Sequence, residues 1–219
     1  MNTEPAGGGS ALSPYKGVPA TKWLAVTVKL LEKHPLTPEF VPIVQQAWKD
    51  IFATRIGSKG YRIGPDIKLS PQIMGNYLHE LIPLIVQDLH PGEWCRGRGA
   101  HDKDLVCLTN PRLSIEIKTS SHPTQIFGNR SYGQPPSSTS DIGKKGKSGY
   151  YLAINFEKFS KEGSLPKISQ VRFGWLDHSD WIAQRAPTGQ QAHVNPRADA
   201  AKLVRLYPAN RVRRDPGRH

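Results

Sequence analysis

The chain has 219 residues, 37% of them hydrophobic, and its 30 Lys+Arg against 18 Asp+Glu leave a net charge of +12. That length and apolar content suffice for a buried core in one domain, and no apolar run approaches the roughly 20 residues of a bilayer-spanning helix, which excludes a membrane-integral protein. The basic balance favours an anionic partner, nucleic acid ahead of an anionic membrane surface.

Residues 1–20, rich in Gly, Pro, Ser and Ala, read as a flexible arm, and Gly7, Gly8 and Gly9 stand where a secretory signal would be apolar. From Thr21 the spacing of Leu24, Thr27, Val28 and Leu31 predicts a helix closed by His34 and Pro35. A second helix is predicted with Thr37 as cap and Pro38 in the first turn, its core stripe being Phe40, Ile43, Val44, Ala47, Trp48, Ile51 and Phe52. A basic connection broken by Gly57, Gly60 and Gly64 follows. Ser70 and Pro71 then open a third helix through Ile73, Tyr77, Leu81 and Ile85 towards Leu89, which Pro83 should kink or shorten. Glu80 is the one acid in its middle.

Two short apolar runs, HDKDLVCL and LSIEIKTSS, joined by Thr109, Asn110, Pro111 and Arg112, predict a β-hairpin. Alternation sets Leu113, Ile115 and Ile117 on one face of its second strand and Ser114, Glu116 and Lys118 on the other. Residues 119–149 read as a long functional loop. Within it, GNRSYGQ offers Asn129, Arg130, Ser131 and Gln134 for reading bases, and GKKGK offers Lys144 and Lys145 for holding phosphates. Tyr150 to Phe156 and Ile168 to Trp175 are predicted strands. Asp177 or Ser179 caps a short helix containing Trp181 and Ile182, Asn195 and Pro196 look like a helix start, and Lys202 to Tyr207 could equally be a strand. Cys95 and Cys107 read as reduced thiols of a cytoplasmic protein.

The hairpin carries the chemistry. Hydrolysis of a negatively charged phosphodiester calls for a metal that polarises the phosphoryl group and a means of activating water. Mg2+ is held by one or two carboxylates together with phosphate oxygens. Asp104 and Glu116 fit that need, with Lys118 on the face of Glu116 to approach the attacking water or the scissile phosphate. The pairing has a condition. A plain four-residue connection would set Asp104 opposite Ile117, off the face of Glu116, whereas a bulge or a three- or five-residue connection restores the common face; Asp102 is the alternative to Asp104. His79, His90, His101 and His178 lack metal-ligand spacing.

In the order helix with Glu80, then Asp104, then Glu116-Ile117-Lys118, the sequence resembles the PD-(D/E)XK nucleases. The stretches KDLVC, IEIKTSS, IFGNRSYGQ and VRFGWLDHSDW resemble the ScaI-type group of type II restriction endonucleases, a match over roughly residues 70–195. The resemblance implies an α/β fold with a mixed central β-sheet flanked by helices, Mg2+-dependent cleavage of double-stranded DNA at a short palindrome, and a homodimer. It also implies metal binding by Asp104, Glu116 and the Ile117 carbonyl, assistance from Lys118, and an auxiliary role for Glu80. Residues 21–219 then form a single catalytic and DNA-binding domain, with a helical part 21–90, a nuclease core 91–185 and a basic C-terminal part 186–219. A two-fold dimer reads a palindrome twice with the same residues; Arg130 could pair bidentately with guanine and Asn129 or Gln134 with adenine. The alternatives are a DNA repair or junction-resolving nuclease and a non-catalytic nucleic-acid-binding module.

Overall fold

The computed structural model describes residues 13–99, 101–134, 146–160, 164–184 and 191–208. Helices α1 (Trp23–Lys33), α2 (Phe40–Ala53) and α3 (Pro71–Leu89) come first, with a small ribbon of β1 (Arg55–Ile56) and β2 (Tyr61–Arg62) between the last two. The strands β3 (Trp94–Arg96), β4 (Leu105–Cys107), β5 (Ile115–Ser120), β6 (Phe127–Asn129), β7 (Gly149–Phe156), β8 (Ile168–Leu176), β9 (Trp181–Ala183), β10 (Gln191–Val194) and β11 (Leu203–Tyr207) follow, with α4 (Pro196–Lys202) ahead of the last. The main sheet has the order β11-β8-β7-β5-β4-β3 and a second sheet the order β6-β10-β9. Only β5 and β7 run parallel in the main sheet, so the sheet is mixed and the α/β class expected from the resemblance is the class observed.

Both faces of the main sheet are covered. Tyr150, Leu152 and Ile154 of β7 join Ile115, Ile117 and Phe173 in a cluster with the buried side chains of α1, α2 and α3. Tyr151 and Ala153 point into a second cluster with Tyr132, Trp181, Ala192 and Ala198. This double burial explains why β7 is continuously apolar rather than alternating. Helix α3 approaches β5 closely at Gly75, where a Cβ would lie 2.5 Å from Thr119 Oγ1. A Cβ there would require the Thr119 hydroxyl to turn aside.

Several local expectations are corrected by packing. Tyr15 is buried, its hydroxyl 2.8 Å from that of Thr27, so residues from 13 onward are not part of a mobile arm. Of the four residues expected on the inner face of α1, Thr27 and Leu31 are buried, whereas Leu24 and Val28 face outward. On α3 the buried residues are Met74, Gly75, Leu78, Ile82, Pro83 and Val86, one position along from the expected stripe, with Ile73 exposed. Both helices are apolar beyond one stripe, and a 3.6-residue period then fits two adjacent faces. Thr37 does not cap α2; its hydroxyl donates to the Leu31 carbonyl at 2.8 Å. Ser70 does cap α3, accepting from the Ile73 N–H. Pro83 neither ends nor shortens that helix, which runs on to Leu89. The expected helix with Trp181 and Ile182 is a single 3-10 turn, His178–Asp180, leading into strand β9. Residues 119–149 contain β6 and a 3-10 turn, Arg130–Gly133, rather than a loop throughout.

One buried histidine yields a pH prediction. His34 is 2% exposed, its Nε2–H donates to the Leu113 carbonyl at 3.1 Å, and its ring packs 4.6 Å from that of Tyr150. Burial lowers its pKa from 6.5 to about 4, only partly opposed by the Leu113 bond. The unfolded chain therefore takes up the proton first as pH falls. The contribution of the neutral ring is fully present above pH 6.5 and is lost progressively towards pH 4. The whole loss is about 3 kcal/mol. Denaturant unfolding at pH 7 and pH 4.5 should show a steeper loss for wild type than for His34→Gln; equal slopes would remove His34 as the cause.

Candidate active site

The connection between β4 and β5 decides the register. It contains a 3-10 turn, Pro111–Leu113, closed by Asn110 accepting from the Arg112 N–H, and Ser114 Oγ accepts from the Cys107 N–H in place of a ladder bond. Leu105 consequently lies opposite Ile115. Continuing this register carries Asp104 to the position facing Glu116, the alignment that a plain four-residue turn would have missed. Asp104 Oδ2 accepts the Ile117 N–H at 2.7 Å, so its carboxylate is seated directly on the Glu-x-Lys strand.

Glu116 is 3% and Lys118 15% exposed, and Lys118 Nζ donates to Glu116 Oε1 at 2.6 Å. Burial of both was not evident from alternation alone, which left their face open to solvent. The cover comes from distant segments. Tyr151 stands beside Glu116 in the parallel ladder with β7, and the Tyr132 hydroxyl donates to Glu116 Oε1 at 2.9 Å. Lys118 Nζ also lies 4.8 Å from the centre of the Tyr132 ring, a cation–π contact. Burial pushes the Tyr151 phenol well above its usual range, so it stays neutral, and its hydroxyl donates to the Lys147 carbonyl.

On the other side of Asp104 a cleft of about 170 Å³ is lined by His79, Glu80, Arg96, Asp102, Lys103 and Asp104, among others. His79 Nδ1 approaches Asp104 Oδ2 at 3.5 Å. Sequence reasoning passed over His79 for want of a ligand-like spacing; the signal that could have found it is its place beside Glu80 on α3. Glu80 lines the cleft but is largely exposed and pairs with Arg96 at 3.1 Å, apart from the Asp104 contacts. Asp102 is engaged elsewhere, accepting from the backbone N–H groups of Arg98 and Gly99 at 2.8 and 3.1 Å.

The candidate reading residues separate into two kinds. Arg130 and Gln134 are exposed. Asn129, though exposed, spends its carboxamide oxygen on the Ser131 N–H and hydroxyl, at 3.1 and 2.7 Å, and so shapes the turn. The Ser131 carbonyl accepts from Lys147 Nζ. Lys144 and Lys145 lie outside the described residues. The segment ahead of the turn is held from beneath: Asn155 donates to the His122 and Gln125 carbonyls at 2.8 and 3.0 Å, and Arg172 to the Thr124 carbonyl at 2.6 Å.

For divalent-metal chemistry the donor set is consistent. Two carboxylates and a strand carbonyl, all hard oxygens, suit Mg2+ better than zinc. Among the described residues no cluster of three or more His, Cys, Asp or Glu is placed to hold a metal. No helix among the described residues is long and apolar enough to cross a membrane.

The model of the family described as ScaI restriction endonuclease matches residues 13–207. The chain is also similar to the type II restriction enzyme ScaI of Streptomyces caespitosus, at 44% identity over 198 residues, covering 89% of this chain and 85% of that protein.

Proposed function

The chain belongs to the ScaI restriction endonuclease family, and from that premise we propose how it performs site-specific cleavage of DNA: by Mg2+-dependent hydrolysis at a short palindrome, with Asp104, Glu116 and the Ile117 carbonyl holding the metal. The observation that carries this reading is the seating of Asp104 on the Ile117 N–H beside the Glu116–Lys118 pair. When bound, Mg2+ would polarise the phosphoryl oxygen and lower the pKa of water. The chain's own part is positional and electrostatic. Lys118 places an ammonium where negative charge grows as the water oxygen bonds to phosphorus and the bond to the leaving sugar oxygen breaks. Asp104 and Glu116 keep their oxygens fixed by hydrogen bonds from the same strand, which limits reorganisation during the step.

Arg130 and Gln134 form the base-reading edge, with Asn129 and Ser131 setting its shape; Lys144 and Lys145 add affinity for phosphate. The assembly is a homodimer whose two copies read the two halves of the palindrome. Residues 21–219 act as one catalytic and DNA-binding unit in the cytoplasm, where the free thiols of Cys95 and Cys107 are stable. Glu80 plays its auxiliary part by holding Arg96 at the cleft.

Digestion of a diverse genomic DNA with Mg2+, followed by sequencing of the ends, tests the reading: every end should share one short palindrome. Failure to cut any duplex would favour the non-catalytic binding module instead. Arg130→Ala should lower cleavage at that site about 5- to 150-fold, the worth of one bidentate base contact. Unchanged cleavage would take Arg130 out of the reading role.

A further inference from the structure

We infer that Tyr132 is a positioning residue that couples the DNA-reading turn to the Glu116 carboxylate, an inference that rests on the active-site reading above. Tyr132 belongs to the turn Arg130–Gly133, so its backbone moves with Arg130 on the outer surface. Its side chain points the other way. It is 7% exposed and its hydroxyl reaches Glu116 Oε1 at 2.9 Å, the same oxygen that accepts from Lys118 Nζ at 2.6 Å. One carboxylate oxygen thus receives a donor from the catalytic strand and a donor from the reading turn.

The ring has little freedom to absorb a displacement of that turn. It packs on Trp181 with centroids 4.6 Å apart, and the chain passes so close at Gly128 that a Cβ there would sit 2.7 Å from Tyr132 Cγ. Lys147 approaches the ring centre at 5.9 Å and also donates to the Ser131 carbonyl, tying the same turn from a third direction. A shift of the turn on docking to DNA is therefore passed to the hydroxyl and so to the orientation of Glu116. A buried phenol needs a hydrogen-bond partner wherever it stands, so the contact alone could be no more than satisfaction of the hydroxyl. The two readings differ in one consequence. If Tyr132 couples the sites, part of the factor by which DNA bearing the recognised sequence raises the affinity for Mg2+, and Mg2+ the affinity for that DNA, is lost with its hydroxyl.

The test uses the full chain and two duplexes with non-hydrolysable linkages at the cutting position. One carries the site found from the digest ends; the other is scrambled. Calorimetric titration with Mg2+ should show wild type binding the ion about 5- to 150-fold more tightly with the first duplex than with the second, a usual range for coupled sites. In Tyr132→Phe, which deletes one oxygen and keeps the ring on Trp181, that ratio should fall about threefold or more below the wild-type value, with scrambled-duplex binding unchanged and the melting temperature lowered only as far as the loss of one buried hydrogen bond requires. Equal Mg2+ affinity with both duplexes in wild type, or an undiminished ratio in Tyr132→Phe, overturns the coupling. The wild-type arm alone can overturn the coupling, and Gly128→Ala, which presses on the ring and keeps the hydroxyl, is the second variant in which the ratio should fall if Tyr132→Phe does not fold. A wild type that cuts its site but shows no such ratio defeats this inference alone, whereas one that cuts no duplex defeats the active-site reading beneath it as well.

Discussion

Lys118→Ala should reduce single-turnover cleavage by about 10³-fold or more, as expected when a pre-oriented charge is removed from a developing phosphorane. Metal-free binding of duplex DNA should change by less than about tenfold, because one lysine contributes a single counter-ion's worth of the phosphate term. The split follows from the geometry. Lys118 is 15% exposed, with its ammonium 2.6 Å from Glu116 and 4.8 Å from the centre of the Tyr132 ring, so it is not part of the open basic surface, and in the proposed site it faces the reacting centre. Lys118→Arg should rescue poorly, since a planar fork does not reproduce a compact ammonium in a closed site. Cleavage by Lys118→Ala at the wild-type rate would rule the lysine out of the chemical step.

The second large effect falls on the fold. Arg172→Met should destabilise the protein by about 3–5 kcal/mol, because it strands a charge in a covered site. Arg172 is 4% exposed, pairs with Asp199 of α4, and also donates to Asn155 and to the Thr124 carbonyl. Adding Asp199→Leu should recover most of the loss, since removing both charges is far less costly than removing one. Burial already pushes the Asp199 carboxyl above its ordinary pKa, with Arg172 opposing the rise. In Arg172→Met the opposition is gone and the folded state favours the protonated acid more strongly. The defect should then be smallest below the ordinary carboxyl range and grow as pH rises through the folded-state pKa of Asp199. Denaturant melts of the single and double variants across pH measure this; a pH-independent defect would point to lost packing instead.

Arg172 also sets the path of the chain beside the candidate site. The carbonyls that it and Asn155 capture belong to the segment leading from β5 to the turn Arg130–Gly133. A stretch whose composition reads as loop is thereby given a set path. Its polar residues bond partners more than 25 positions away in the chain, which no local pattern could disclose. The same holds for Lys202, buried against Asp177 and Asp180 although the basic C-terminal region gave every reason to expect it in solvent.

What the sequence determined by itself is local. Ser70 and Pro71 start α3 because a cap and a proline act on the nearest backbone groups. The apolar run of β7 forces a strand covered on both faces, and the ordered set Asp104, Glu116, Ile117, Lys118 is enough to single out the candidate site. Tertiary structure decided the rest, and the reason is distance along the chain. Which of two adjacent stripes on α1 and α3 turns inward depends on the surface they meet. Whether Asp104 faces Glu116 depends on a single position of strand register set by the 3-10 turn between them. The Tyr132 hydroxyl finds Glu116 only because the turn Arg130–Gly133 is folded back over β5 from the second sheet.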